Sequence, residues 1–278
     1  MAAGGGAAGP ARRVSGIVSV LSAAALAALQ GLTEFLPVSS SGHLVLAGWL
    51  MDLPREGIMF EVVVHVGTLI AVLGVYGRDL VGLLAGALRG ERRPLRTVGL
   101  LALASVPAAA VGLLLGDLVE ESFASPLRAS LMLIITGTVL FAAGKARRGG
   151  AELPGIASAL LVGAAQALSL LPGLSRSGLT ISGGLFTGLR QDSAARFSFL
   201  LAIPAIAGAG LLKLMSGEAT SIPAASLVVG LVVSALVGYL ALRALLRFLQ
   251  QGRFQSFCYY CWVVGALGVV GTFLKGIP

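Results

Sequence analysis

The sequence predicts an all-α integral membrane protein made of two inverted-topology repeats, each a re-entrant helical hairpin followed by three transmembrane helices. Hydrophobic residues make up 56% of the 278 residues and charged residues only 12%. Soluble domains carry about 25% charged residues, so a soluble enzyme is excluded, and so is a disordered chain. The apolar runs are long and do not alternate, which indicates helices. Two polar breaks at related positions indicate the repeats.

The first repeat is expected at about 14–145, after a disordered tail at 1–13, and the whole of 14–278 forms a single membrane domain. The repeat opens with an apolar segment at about Val14–Phe35 and a polar break at Pro37–His43. The next apolar piece, Leu44–Met51, is too short for a bilayer, which needs about 20 residues. Three spans are predicted to follow, at about Ile58–Tyr76, Thr97–Leu115 and Leu127–Gly144.

The second repeat, about 155–278, has the same order of segments. An apolar segment at about Ile156–Leu171 precedes a break at Pro172–Thr180 and a short piece at Ile181–Leu189. The spans are predicted at about Ala195–Leu214, Ala224–Leu246 and Phe257–Leu274. In and beside the breaks, an offset of 136 residues aligns five identical pairs: Gln30/Gln166, Leu32/Leu168, Ser39/Ser175, Ser41/Ser177 and Gly42/Gly178. Because three spans is an odd number, the second hairpin must enter from the opposite side.

The basic loops predict the orientation. One side of the predicted topology collects 13 Lys and Arg residues and the other 6, with Arg176 inside a break. The richer side holds Arg78, Arg89, Arg92, Arg93, Arg96, Lys145, Arg147, Arg148, Arg190, Arg196, Arg243, Arg247 and Arg253. That side is expected to be cytoplasmic, which puts both termini outside. The net charge of +8 therefore reflects orientation, and nucleic-acid binding is not expected.

The first break carries candidate catalytic groups. Gln30 and Glu34 lie four residues apart on one helix face, and oxygen ligands of this kind suit Mg²⁺ or Ca²⁺. Ser39, Ser40 and Ser41 could supply a nucleophile or phosphate contacts, or could simply cap the helix that begins near His43. Glu61, in the next span, is a possible further cation ligand. His65, four residues later, is interpreted as a helix-packing residue.

The second break carries Arg176. Arginine binds phosphate through two parallel hydrogen bonds and stays charged when buried. Ser175, Ser177, Thr180 and the backbone at Gly178 would complete a phosphate cradle. The alternative is that Arg176 only balances the charge of Glu34. Cys258 and Cys261, spaced C-x-x-C, lack the further ligands of a metal site and are interpreted as small apolar residues.

These motifs resemble the bacterial undecaprenyl-diphosphate phosphatase family. The resemblance rests on Gln30–His43, Pro172–Thr180 and the stretches Phe60–Gly67 and Phe197–Pro204. It implies removal of the terminal phosphate from a polyprenyl diphosphate in the bacterial inner membrane, a divalent cation, an outward-facing site and often a homodimer. It also implies that Gln30 and Glu34 are the metal-associated pair and that Ser40 and His43 are catalytic. By the same resemblance, Ser39, Ser175, Ser177, Gly178 and Thr180 join Arg176 around the diphosphate.

The sequence leaves the nucleophile open. Ser40 with His43 as its base, His43 itself, and a metal-activated water are all compatible with the motifs. An inverted-repeat transporter or lipid flippase is the main alternative function, because broken helices are also typical of transporters.

Overall fold

The computed structural model describes residues 19–51, 58–146, 149–215 and 222–275. The predicted disordered tail at 1–13 lies outside these residues, as do Arg55, Arg147 and Arg148 of the charge comparison. Within the described residues the protein is all-helical, and its only pairing of strand type is an isolated bridge between Ala151 and Leu189. The prediction of an all-α protein is confirmed.

Eleven α-helices form the described part of the chain. They are α1 (Val20–Phe35), α2 (Ser40–Leu50), α3 (Ile58–Leu88), α4 (Arg92–Leu114), α5 (Gly116–Ser122), α6 (Pro126–Lys145), α7 (Ile156–Leu168), α8 (Arg176–Phe186), α9 (Gln191–Met215), α10 (Ala224–Gln250) and α11 (Phe257–Lys275). A short 3-10 turn at Phe254–Ser256 precedes α11.

Six of these helices are long and apolar enough to cross a membrane. They include α3, α4, α6, α9, α10 and the segment that ends with α11. The six predicted spans are thus confirmed as helices of membrane-spanning length. Their outer faces carry large exposed apolar side chains such as Leu236, Leu240 and Leu267, as expected of surfaces that lipid covers.

The largest departures from the sequence expectation are in two helices, α3 and α5. The prediction ended the first span at Tyr76, where charged residues begin, but α3 continues to Leu88. The charge of Asp79 is tolerated there because its Oδ2 accepts a hydrogen bond from Arg196 Nε at 2.8 Å. The short helix α5 was not predicted, since its glycine and acidic residues are typical of a loop. Asp117 lies in its first turn, where a carboxylate stabilises the helix dipole.

Each break lies where one short helix ends and the next begins: α1 and α2 at the first break, and α7 and α8 at the second. At about 1.5 Å per residue, the 11 residues of α2 and of α8 cannot cross a bilayer core of about 30 Å. Each begins at a serine whose side chain accepts a backbone N–H: Ser39 from Gly42, and Ser175 from Gly178. The capping alternative considered for the serines of the first break is therefore correct for Ser39 as local structure, and Ser175 caps α8 in the same way.

Small residues let helices from the two halves of the chain approach closely. Helix α1 packs on α10, and α7 packs on α4. A Cβ added at Gly31 would lie 2.9 Å from the backbone nitrogen of Gly238, and one at Gly163 would lie 2.5 Å from the carbonyl oxygen of Ala104. Such glycine contacts are characteristic of helix packing in membranes. They bring both breaks to the middle of the molecule.

Candidate active site

The two breaks are in direct contact. Ser39 Oγ accepts a hydrogen bond from the backbone nitrogen of Gly173 at 3.1 Å, and Ser177 Oγ donates to the carbonyl of Leu36 at 3.1 Å. A side chain at Gly42 would meet Gly173 Cα at 2.9 Å, so only glycine allows this approach. Ser39 has a φ of 66°, a conformation that non-glycine residues rarely adopt and that often marks a functional site.

The last span of each half supports the break of the other half. Thr136 Oγ1, on α6, donates to the carbonyl of Gly173 at 2.8 Å and accepts from the backbone nitrogen of Ser175 at 3.1 Å. Cys261 Sγ, on α11, donates to the carbonyl of Pro37 at 3.5 Å. The sequence did not identify either role. Polar backbone groups at membrane depth require such partners, and this requirement is the one signal that could have pointed to Thr136.

Glu34 is the centre of a buried polar cluster. Its Oε2 accepts hydrogen bonds from Ser40 Oγ at 2.6 Å and from Gln30 Nε2 at 2.9 Å. Its Oε1 forms an ion pair with the guanidinium of Arg176, which is 142 residues away in sequence. Only 7% of the Glu34 side chain and 16% of the Arg176 side chain are exposed. The structure therefore brings Ser40 and Arg176 to the predicted pair of Gln30 and Glu34, and the pairing considered for Arg176 and Glu34 is present.

His65 joins this cluster, so its interpretation as a helix-packing residue is incomplete. Its Nε2 lies 3.8 Å from Glu34 Oε2, and its Nδ1 hydrogen-bonds the carbonyl of Glu61 at 2.7 Å. The spacing of Glu61 and His65 on one helix face was the available signal. The side chain of Glu61 is exposed, and its part in cation binding stays a prediction.

The structure pairs Ser40 with Glu34 and pairs His43 with other partners. His43 Nδ1 lies 2.8 Å from the carbonyl oxygen of Ser39, and Nε2 lies 2.9 Å from the hydroxyl of Tyr260 on α11. Both His43 and Ser40 are 8% exposed. The proton acceptor nearest to the Ser40 hydroxyl is thus the Glu34 carboxylate. Tyr260 was not singled out in the sequence, where it is one aromatic residue among several in an apolar helix.

The predicted phosphate cradle surrounds Arg176 with hydroxyls that also hold the local backbone. Ser175 Oγ lies 3.2 Å from Ser177 Oγ and accepts the backbone N–H of Gly178. Thr180 Oγ1 donates to the carbonyl of Arg176 at 2.7 Å and lies 2.6 Å from Ser198 Oγ. These contacts fix the turn that carries Arg176. Direct binding of substrate by these hydroxyls stays a prediction.

The donor set fits a hard divalent cation. Gln30 Oε1 is buried and has no hydrogen-bond partner, and it belongs to the residue that touches the Glu34 carboxylate. Within the described ranges no group of three or more His, Cys, Asp and Glu side chains could hold a metal. A cation here would therefore depend on Gln30 Oε1, Glu34, and oxygens of the substrate or solvent, which are the ligands that Mg²⁺ commonly uses.

Comparison with known proteins gives the family. The model of the bacitracin resistance protein BacA family matches residues 23–267, a range that contains both breaks. Proteins called undecaprenyl-diphosphatase are similar over nearly their full lengths. That of Desulfosudis oleivorans is 44% identical, covering 87% of this chain and 94% of the relative, and that of Thermomicrobium roseum is 43% identical, covering 89% and 96%. That of Pelobacter propionicus is 41% identical, covering 94% and 99%. The chain belongs to the bacitracin resistance protein BacA family.

Proposed function

We propose that the protein hydrolyses undecaprenyl diphosphate to the monophosphate lipid carrier and inorganic phosphate, and so supplies carrier for the synthesis of cell-wall polymers. The named relatives and the family match support the activity and the substrate. The observation in the structure that carries the proposal is the buried contact of Ser40, Glu34 and Arg176. This contact joins a hydroxyl, a proton acceptor and an arginine side by side within a membrane protein, and an arginine can bind phosphate through two hydrogen bonds.

In the first step, the substrate diphosphate draws Arg176 away from Glu34. This exchange neutralises the phosphate with the guanidinium and leaves the carboxylate free to act as a base. Ser40 Oγ then attacks the terminal phosphorus while its proton passes to Glu34, along the 2.6 Å hydrogen bond. The bond from phosphorus to the bridging oxygen breaks, and the lipid monophosphate leaves.

In the second step, water attacks the phosphorus of the phosphoserine. His43 Nε2 takes a proton from this water, and the bond to Ser40 Oγ breaks. The serine recovers its proton from Glu34, and His43 returns its own proton to the departing phosphate. The sum is one water consumed and one phosphate released, with the enzyme unchanged.

Gln30 and Glu34 are the residues that would hold a divalent cation. When bound, Mg²⁺ or Ca²⁺ would supply positive charge next to the diphosphate oxygens, which is a major contribution to phosphoryl transfer. The unpartnered Gln30 Oε1 supports this assignment. The homodimer implied by the family resemblance stays a prediction.

We also propose that the two halves are inverted repeats whose hairpins are re-entrant. Reciprocal contacts support a twofold relation, because Gly42 packs on Gly173 and Gly178 packs near Pro37. At the offset of 136 residues these contacts exchange with each other, since Gly42 matches Gly178 and Pro37 matches Gly173. The odd number of spans in each half supports inversion.

Contacts between loops support the alternation of sides. Glu152, between α6 and α7, forms ion pairs with Arg93 and Arg190, which lie near the loops before α4 and α9. On the other side of the proposed topology, Lys275 Nζ at the end of α11 donates to the carbonyl of Trp49, near the end of α2, at 3.3 Å. The loops that carry Arg93, Glu152 and Arg190 belong to the arginine-rich side, so we place them in the bacterial cytoplasm. Both termini are then extracytoplasmic, and the family resemblance implies that the site opens to the same side.

Cysteine labelling in cells tests this topology. In a background that replaces both native cysteines, Glu91→Cys and Gln251→Cys should react only with a membrane-permeant reagent. Asp117→Cys should react with an impermeant one, because α4 separates positions 91 and 117. All three positions are exposed. Labelling of positions 91 and 117 from the same side would contradict the proposed topology.

Phosphate release tests the function. The purified protein should release one phosphate per undecaprenyl diphosphate, and a chelator should suppress this release reversibly. A transporter or flippase would move the lipid between leaflets without releasing phosphate, so transport with no phosphate release would overturn the proposal. The matched variants are Ser40→Ala, which removes the hydroxyl at Glu34, and Ser105→Ala, which changes a hydroxyl that binds its own helix backbone in α4. Only the first should lose activity.

A further inference from the structure

Tyr260 makes an unusually complete contact with His43. The two rings are stacked, with centroids 5.6 Å apart and planes 10° apart. The phenol hydroxyl lies 2.9 Å from Nε2 of the imidazole. The two residues are 217 positions apart, on helices from opposite halves of the chain. Packing alone would not require both the stack and the hydrogen bond.

The hydrogen bonds define the state of the imidazole. A carbonyl oxygen can only accept, so the 2.8 Å contact with Ser39 places a proton on His43 Nδ1. Nε2 of the neutral ring then carries a lone pair, and the Tyr260 hydroxyl donates to it. The nitrogen that can take a proton or attack phosphorus is therefore the one that the phenol covers.

The other charged groups of the site are engaged elsewhere. Glu34, from α1, accepts from Ser40 and Gln30 and pairs with Arg176 of α8. His65, from α3, lies beside Glu34. The Tyr260 hydroxyl is thus the side-chain group that hydrogen-bonds His43 Nε2, the nitrogen that can accept a proton. Tyr260 is an exposed residue at 45%, so its ring has room to move outward.

We propose that Tyr260 is a positioning residue that covers Nε2 of His43 until substrate arrives. Substrate must displace the phenol before His43 can accept a proton from water. The Ser39 carbonyl fixes the tautomer of the imidazole, as partners of catalytic histidines commonly do, while the stacked phenol ring holds the imidazole plane and the hydroxyl occupies Nε2. This role rests on the proposed part of His43 in the reaction, but the covering of Nε2 can be measured without substrate.

The test measures acylation of His43 by diethyl pyrocarbonate in the substrate-free protein. The chain has two histidines, so a His65→Gln background leaves His43 as the only one. Tyr260→Phe keeps the stacked ring and removes the hydroxyl. Loss of a hydrogen bond worth about 1 kcal/mol should raise the reaction rate roughly fivefold. Tyr259→Phe is the matched control, because that tyrosine contacts Trp262 instead, and its rate should stay at the background value.

Equal rates in the two phenylalanine variants would overturn the proposal. NMR of protein labelled with ¹⁵N-histidine gives a second measurement that does not depend on reagent access. The Nε2 signal of His43 should have the chemical shift of a hydrogen-bonded nitrogen when Tyr260 is present and should move toward that of a free lone pair in Tyr260→Phe, while Nδ1 stays protonated in both proteins. An Nε2 signal that does not move would also overturn the proposal. Neither outcome depends on phosphate release, so failure here is distinguishable from failure of the proposed function.

Discussion

Arg176→Lys should reduce phosphate release by about 10²-fold or more, the scale of removing a preorganised charge contact, while the protein still folds. Lysine keeps the positive charge and can still pair with Glu34. It lacks the planar guanidinium group that binds a phosphate through two parallel hydrogen bonds. Because the guanidinium is largely buried, water cannot replace the missing donor. The measurements are the initial rate of phosphate release in detergent and the midpoint temperature of thermal unfolding.

Arg196→Lys is the control for this variant. Arg196 also pairs with a carboxylate, that of Asp79, but its side chain is 49% exposed and it lies away from the breaks. Its activity should stay close to that of the unmodified protein. If Arg176→Lys also remained within a few-fold of the original activity, bidentate phosphate binding at Arg176 would be ruled out.

Glu34→Gln should abolish activity or raise the required Mg²⁺ or Ca²⁺ concentration severely. The change removes the base next to Ser40 and the anionic ligand for the cation. It also leaves Arg176 without its buried partner, and breaking such a pair costs about 3–5 kcal/mol. Unfolding must therefore be measured beside activity. Glu152→Gln is the control, because this carboxylate pairs with two exposed arginines at the surface.

Gln30→Glu tests cation binding at the partner of Glu34 without removing the pairing of Glu34 with Arg176. It places a second carboxylate beside Glu34, so the cation requirement should fall or stay equal and activity should be retained. The two carboxylates repel each other when no cation is present, and unfolding should then become more sensitive to a chelator. An active Glu34→Gln with an unchanged cation requirement would place the cation elsewhere, and Glu61 would be the first residue to test.

The sequence predicted the two breaks and the short helices beside them because the length of an apolar run and the position of a polar break are local properties. The contact of Glu34 with Arg176 could also be predicted. Each is a lone charge in an apolar environment, and buried charges of opposite sign are found in pairs. The proposed internal repeat puts both residues on related breaks, which made their contact the simplest arrangement.

The partners of His43 and Ser40 could not be predicted in this way. The motif places both at the start of one helix, which favours a pair between them. The structure instead turns Ser40 toward Glu34 and His43 toward Tyr260. Which face of α11 meets α2 depends on the packing of several helices, and an apolar helix has no polar stripe to reveal it. The contact of His65 with Glu34 could not be predicted, because the register between α1 and α3 depends on how the two helices pack.

Trapping a covalent intermediate tests whether Ser40 is the nucleophile. Undecaprenyl diphosphate with a radioactive terminal phosphate is mixed with the His43→Ala variant, which should complete the first step and stall at the second. After acid quenching and proteolysis, we expect acid-stable label on the peptide that contains Ser40, and no label when Ser40→Ala is added. If Ser40 is not the nucleophile, neither protein will carry phosphoserine, and the unmodified protein quenched in alkali will instead carry phosphohistidine at His43.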